Sequence, residues 1–137
     1  SPDGRTMYFA DSAPGTIERC DFDPASGAIA GRKIIATMTN PDGRPDGANC
    51  DAAGNYWSAG VSAGRLNCFD RDGKLLQAIA LPIPAPSMPC FADRWLFITT
   101  LRKNRPEEMV RQFPSLGGLY RMTAPATGPT LPLFQDS

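Results

Sequence analysis

The chain has 137 residues, enough for one modest domain, and 42% of them are hydrophobic, which is enough for a core. Lysine plus arginine and aspartate plus glutamate number 14 each, so no basic field predicts binding to nucleic acid or to an anionic membrane. The chain contains no histidine, which excludes Ser-His-Asp and Cys-His catalysis within it and any zinc site held by histidine.

Cysteine usage and hydropathy place further limits. No apolar run approaches the length needed to span a bilayer, and no signal peptide is recognised. The cysteines form no Cys-x-x-Cys pair, so we do not expect a zinc site made of all four. We predict free, mostly buried thiols in a cytoplasmic protein. The four positions are Cys20, Cys50, Cys68 and Cys90.

Turn residues divide the chain into short segments. Fourteen prolines and thirteen glycines separate segments rich in aromatic and β-branched residues, which predicts an all-β protein. Three stretches, at 4–21, 54–70 and 94–123, look alike and repeat every 40 to 50 residues or so, roughly the period of a propeller blade. We expect the aromatic residue of each repeat to pack against a neighbouring sheet. In one strand of each repeat the equivalent positions are Tyr8, Trp57 and Phe97. In the following strand of each repeat they are Ile17, Leu66 and Leu119.

The first predicted blade covers residues 1–41. It begins abruptly with the turn Pro2-Asp3-Gly4, so we expect its inner strand to be missing and the chain to be a fragment. A turn at 23–27 and an outer strand at 29–38 close this blade. The Asp21-x-Asp23 pattern lacks the rest of an EF-hand loop, and we interpret it as turn capping.

The second predicted blade covers residues 42–85. It contains the triplet Pro45-Asp46-Gly47, a short apolar strand at 48–50, and a turn before the aromatic strand that holds Trp57. Asp72-Gly73 is a strong hairpin signal and leads into an outer strand at 74–81. Asp70 and Asp72 are again interpreted as turn capping rather than as calcium ligands.

The third predicted blade covers residues 86–137. Pro82, Pro84, Pro86 and Pro89 predict an extended crossover in which ladder pairing stops. The segment 104–116 is an insertion, and its prolines, its early glutamates and the spacing of Met109 and Phe113 predict a short helix. The insertion could cover a substrate, or it could simply pack Phe113 onto the sheet.

Pro-Asp-Gly is ordinary turn chemistry, and the chain contains it three times, at 2–4, 41–43 and 45–47. The third copy is followed by Asp51-Ala52-Ala53-Gly54-Asn55-Tyr56-Trp57 and then by Gly64-Arg65-Leu66-Asn67-Cys68-Phe69-Asp70. In these three motifs the chain resembles the senescence marker protein (regucalcin)/gluconolactonase family. The resemblance implies a six-bladed β-propeller, of which this chain supplies about three blades, the C-terminal half.

The same resemblance assigns a role to Asp46. It implies one divalent metal ion, Ca²⁺, Zn²⁺, Mn²⁺ or Mg²⁺, held in the central channel by oxygen ligands, of which only Asp46 has a counterpart here. Asp46 is therefore predicted to be a metal ligand and a catalytic general base in the hydrolysis of a sugar lactone. The other ligands would belong to the missing N-terminal half, or two copies of the chain would pair to mimic six blades.

Two other functions remain open at this point. Propellers are also recognition scaffolds, so the chain could be a non-catalytic calcium- or ligand-binding module or an inactive fragment. Calcium handling without catalysis would show metal affinity and no turnover of lactone.

Overall fold

The structure, a computed structural model, describes residues 1–130 and confirms the predicted all-β class. Within these residues ten strands form three antiparallel sheets, each made of consecutive strands, and there is one short helix. The end of the predicted third blade, residues 131–137, lies outside the described residues. No helix in the described part of the chain has the length and apolar character needed to cross a membrane.

The first sheet contains β1 (Thr6–Asp11), β2 (Thr16–Phe22) and β3 (Ile29–Thr37) in that order. Its turns are held by aspartate side chains. Asp23, for example, accepts a hydrogen bond from the backbone N–H of Ala25 at 3.1 Å. The predicted capping role is therefore confirmed for this aspartate.

The second sheet has four strands, β4 (Pro45–Cys50), β5 (Tyr56–Gly60), β6 (Arg65–Phe69) and β7 (Leu75–Ala80), in sequence order. The hairpin between β6 and β7 is capped by Asp70, which accepts backbone N–H groups two and four residues later, both at 2.9 Å. This aspartate also caps a turn, as predicted.

The third sheet contains β8 (Pro86–Ala92), β9 (Trp95–Thr100) and β10 (Leu119–Thr123). A short helix, α1 (Glu107–Gln112), lies in the segment between β9 and β10.

The predicted crossover without ladder pairing is wrong for two of its four prolines. Pro86 and Pro89 belong to β8 and pair with Thr100 and Ile98 of β9. β8 is an edge strand, because only β9 pairs with it. An edge strand tolerates proline, which has no N–H, at positions where the N–H would point away from the neighbouring strand.

The core lies between successive sheets. Trp57 of β5 meets Phe91 of β8 edge to face, with ring centroids 6.0 Å apart. Tyr8 of β1 stacks on Tyr56 of β5 at 5.0 Å. The predicted packing of the repeated aromatic residue against a neighbouring sheet is confirmed for Tyr8 and Trp57.

The third repeat has the predicted register but a different environment. Ile17 and Leu66 are completely buried, whereas Leu119, at the equivalent position, is 65% exposed. The difference agrees with the contacts of β10, which within residues 1–130 packs substantially against no strand other than β9. Phe97, on the neighbouring strand, is likewise only half-buried.

All four cysteines are free, as predicted. The predicted burial is confirmed for Cys20 and Cys68, whereas Cys50 is half-buried and Cys90 is exposed. Burial raises the pKa of Cys68 to about 12, so this thiol stays protonated at neutral pH and is a packing group rather than a nucleophile.

Candidate active site

Two of the three Pro-Asp-Gly triplets are surface turns. Asp3 accepts a hydrogen bond from the backbone N–H of Arg5 at 3.0 Å. Asp42 accepts hydrogen bonds from the hydroxyl of Thr39 and, at 3.2 Å, from its backbone N–H. Bonds from the Ser1 hydroxyl to Asp3 and from the Thr39 hydroxyl to Asp42 lower the pKa of both carboxyl groups. These aspartates cap their own turns.

The third triplet has a different structure. Asp46 belongs to β4 and follows the buried Pro45, where the pairing of β4 with β5 shifts register. The side chain is half-buried, and no salt bridge reaches it within residues 1–130. Burial raises the pKa of Asp46, and the Gly47 N–H and the charge of Arg105 offset this only in part. The Asp46 carboxylate therefore has few hydrogen-bond donors or cations to compensate its charge.

Gly47 is required by a close approach between two strands rather than by its own backbone conformation. A Cβ at this position would lie 2.5 Å from the carbonyl oxygen of Ser87 and 2.7 Å from the Cε of Met88. Only glycine allows β4 to run this close to β8. The tight contact fixes the position of the neighbouring Asp46 against the third sheet.

The start of β8 repeats the geometry of the start of β4. Each strand begins with a buried proline that pairs with the end of its hairpin partner and is followed by a register shift. Ser87 thus occupies the position in β8 that Asp46 occupies in β4. Its hydroxyl is 2.8 Å from that of Thr99. The two neighbouring strands therefore present one carboxylate and one hydroxyl at this end.

The donor set of the described residues fits a metal ion only in part. No group of three or more His, Cys, Asp or Glu side chains that could hold an ion is found in residues 1–130. Asp46 is an oxygen donor whose charge is poorly compensated, which suits a hard divalent cation. Asp46 fits as one ligand of a set, and within residues 1–130 it does not belong to a group of three such side chains.

Asp51, which follows the far end of β4, has a structural role that the sequence reasoning missed. It is 2% exposed and accepts hydrogen bonds from the backbone N–H groups of Ala53 and Asn55. Its other oxygen accepts the Asn55 amide and the indole N–H of Trp57, each at 2.9 Å. The spacing of Asp51, Asn55 and Trp57 in the sequence was the available signal. This network holds the β4–β5 hairpin.

The helix α1 closes a cleft at the same end as Asp46. Met109 and Phe113 pack against the cluster that contains Val61 and Ala85, so the segment is anchored on the sheets. The cleft has a volume of about 380 Å³ and lies between this segment, the β5–β6 turn and the β7–β8 crossover. The N–H of Val61 bonds the carbonyl of Arg44, two residues before Asp46, at 3.0 Å. Sequence reasoning placed the insertion here but did not single out the cleft.

A protein-family model described as "SMP-30/Gluconolactonase/LRE-like region" matches residues 1–102. The chain is 33% identical over 121 residues to the L-arabinolactonase of Azospirillum brasilense, covering 88% of this chain and 40% of that protein. It is 34% identical over 138 residues to the 6-deoxy-6-sulfogluconolactonase of Pseudomonas putida, covering 98% of this chain and 47% of that protein. The chain thus spans about half the length of these curated relatives, or less.

The fold is also found among solved structures. The crystal structure of a calcium-binding protein, regucalcin, from Agrobacterium tumefaciens matches with a TM-score of 0.86 and 27% sequence identity. The match covers 98% of this chain and 47% of that protein. The arrangement of the three sheets is therefore shared with about half of a longer molecule.

Proposed function

Because the chain belongs to the SMP-30/gluconolactonase/LRE-like family, we propose that it contributes part of the active site of an enzyme that hydrolyses sugar lactones. Two of its relatives are lactonases of sugar-derived substrates, which supports this class of substrate. The activity is proposed for the intact protein, since the chain spans about half of these relatives or less.

One observation carries the proposal. Of the three Pro-Asp-Gly aspartates, only Asp46 is half-buried and short of partners, whereas Asp3 and Asp42 are committed to their turns. Buried carboxylates with a raised pKa are characteristic of acid–base groups. Structural burial alone gives no reason to keep such a carboxylate uncompensated, because removing a charge from water is costly.

Asp46 is proposed to act first as a ligand of one divalent metal ion, Ca²⁺, Zn²⁺, Mn²⁺ or Mg²⁺. When bound, such an ion supplies polarisation of the lactone carbonyl and a lower pKa for a bound water. The remaining ligands come from outside residues 1–130. A six-bladed propeller that these three sheets form with the N-terminal half of the protein, or with a second copy of the chain, would provide them.

Asp46 is also proposed to be the general base. Its carboxylate takes a proton from the attacking water as the water oxygen bonds to the carbonyl carbon. The ring C–O bond then breaks, and the ring oxygen takes this proton back from Asp46 and becomes a hydroxyl. The product is an open sugar acid. The raised pKa of Asp46 brings its basicity closer to neutral pH, which favours proton transfer there.

Calorimetric titration with each metal, combined with an assay of lactone hydrolysis, tests the proposal in the intact protein. We expect Asp46→Ala to abolish metal binding and to lower kcat by about 10²- to 10⁴-fold. The matched variant Asp42→Ala alters the same tripeptide four positions earlier and is expected to change neither. Unchanged metal affinity in Asp46→Ala contradicts the assignment. Metal binding by the unaltered protein without turnover of any sugar lactone supports calcium binding without catalysis instead.

A further inference from the structure

The segment between β9 and β10 contains three arginines, and they differ in their partners. Arg102 donates to the carbonyl of Pro114 at 3.0 Å, and Arg111 pairs with the carboxylate of Glu107 at 3.7 Å. Arg105 is half-buried, its Nε is inaccessible to solvent, and this atom has no hydrogen-bond partner within residues 1–130. None of the salt bridges of that part of the chain includes Arg105.

A partly buried guanidinium without an acceptor is unusual. Buried polar groups are nearly always paired, because the interactions lost with water are otherwise not replaced. The planar guanidinium presents its N–H donors in a fork that matches the two oxygens of a carboxylate. The environment of Arg105 therefore favours an anionic ligand with at least two oxygens.

Arg105 lies on the wall of the cleft that α1 closes. Most of the remaining wall is apolar and includes Val61, Ile83, Met109 and Phe113. An apolar wall beside one cation orients a ligand through a single charged contact. The cleft also lies beside the start of β4, because the N–H of Val61 bonds the carbonyl of Arg44. Burial raises the pKa of the Asp46 carboxyl, and the charge of Arg105 reaches this group and offsets part of the rise.

We propose that Arg105 is the anion-binding residue of this site and that it holds the carboxylate of a sugar acid in the cleft beside Asp46. The inference rests on the proposed lactone hydrolysis, which converts a neutral ester into a carboxylate. Two carboxylates have this chemistry. One is the group formed at the reacting carbonyl, and the other is an acid group already present on the substrate. Arg105 binds and orients this group and takes no proton.

Calorimetry with gluconate and with glucitol, a neutral polyol of the same chain length, tests the inference without relying on turnover. We expect Arg105→Gln to weaken gluconate binding by about 10- to 100-fold, since a charge-assisted pair is lost, and to leave glucitol binding unchanged. Arg105→Lys keeps the positive charge but loses the forked N–H donors of the guanidinium, so it should bind gluconate more tightly than Arg105→Gln and more weakly than the unaltered protein. Arg111→Gln is the matched control, because Arg111 lies on the same segment and is exposed.

Kinetics with two lactones distinguish the two carboxylates. If Arg105 holds the carboxylate formed in the reaction, Arg105→Gln weakens product inhibition by gluconate and leaves KM for glucono-lactone unchanged. If it holds an acid group of the substrate, the same variant raises KM for glucaro-lactone, which carries a free carboxylate, but not for glucono-lactone.

Four results overturn the inference. The unaltered protein could bind no gluconate, or Arg105→Gln could leave its affinity unchanged. Arg105→Gln could weaken gluconate and glucitol equally, which indicates a structural role, or Arg111→Gln could weaken gluconate as much as Arg105→Gln. If gluconate binds through Arg105 but the protein hydrolyses no lactone, the role of Arg105 is supported and the proposed hydrolysis is contradicted.

Discussion

The same tripeptide, Pro-Asp-Gly, occurs at 41–43 and again at 45–47 with opposite consequences for its aspartate. Asp42 is at the surface, and its bonds to Thr39 lower its pKa. Asp46, in strand β4, is half-buried, and its pKa is raised. The same tripeptide therefore adopts two backbone conformations, and the neighbouring strands decide whether its carboxylate is bonded within a turn or left available.

The glycines of the two triplets differ in the same way. Gly43 has φ of +94°, in the left-handed region that glycine adopts without strain. Gly47 is not in that region, and it is glycine because the backbone of Ser87 in β8 lies where a Cβ would be. Gly43 makes a turn and also lies against Gly60, whose Cα would be 2.8 Å from an added Cβ, whereas Gly47 permits contact between two sheets.

Asp51 differs from Asp46 in its partners, because it is more buried than Asp46 yet fully hydrogen-bonded. We expect Asp51→Ala to lower the free energy of unfolding by about 2–4 kcal/mol, since the buried indole N–H of Trp57 and its neighbours lose their acceptor. Urea unfolding measures the change. Asp46→Ala is the control and should cause no comparable loss. Equal losses in the two variants would show that Asp46 is also a structural carboxylate.

Replacement of the glycines separates backbone conformation from contact. Gly47→Ala should cost about 1–3 kcal/mol, because the added methyl group forces β4 away from β8. Gly4→Ala should cost about 1 kcal/mol, because Gly4 has a positive φ and open space around it. Asparagine substitutions separate the two causes, because asparagine adopts the left-handed region more readily than alanine but is larger. Gly4→Asn should therefore be more stable than Gly4→Ala, whereas Gly47→Asn should be less stable than Gly47→Ala. The same response at both positions contradicts this distinction.

The smallest expected effect is the pH dependence of the metal-free protein. The pKa of Asp46 is above its ordinary value of 3.8, so its ionisation costs stability as the pH rises from 3.8 through the raised pKa. Asp46→Asn should therefore be more stable than the unaltered protein at pH 7, and the gain should vanish below pH 3.8.

Asp42 should behave in the opposite way. Its lowered pKa contributes stability above 3.8 that is lost as the pH falls through the folded-state pKa, so Asp42→Asn should lose stability at pH 7 and match the unaltered protein in acid. Urea unfolding between pH 3 and pH 7 compares the two variants. A shift of the same sign in both at pH 7 would refute the assigned environments.

Much of the fold could be predicted because turns are local. Asp70 and the Asp72-Gly73 pair carry their own turn chemistry, and the structure places a capped hairpin there. Pro86 and Pro89 were misjudged, because proline excludes a central strand but not the edge strand that β8 became. Whether a strand has one neighbour or two is a tertiary property that the local sequence does not contain.

The site was predictable only in part. The residues that follow the third triplet, and not the triplet itself, distinguished Asp46 from Asp42. Arg105 gave no signal, because the cleft that it lines is formed with residues near Val61 and Ala85, which are distant in sequence. Burial and pairing of a charged side chain depend on such distant neighbours.

Each sheet is built from consecutive strands, and this bears on how the chain is made. The strands β4 to β7 leave the ribosome in one run, so the second sheet can be completed without waiting for the strands of the third sheet to emerge. Local pairings of this kind form quickly, because little chain entropy is lost in closing each hairpin. We therefore expect the order of synthesis to be the order of assembly, with each new sheet docking on the one made just before it.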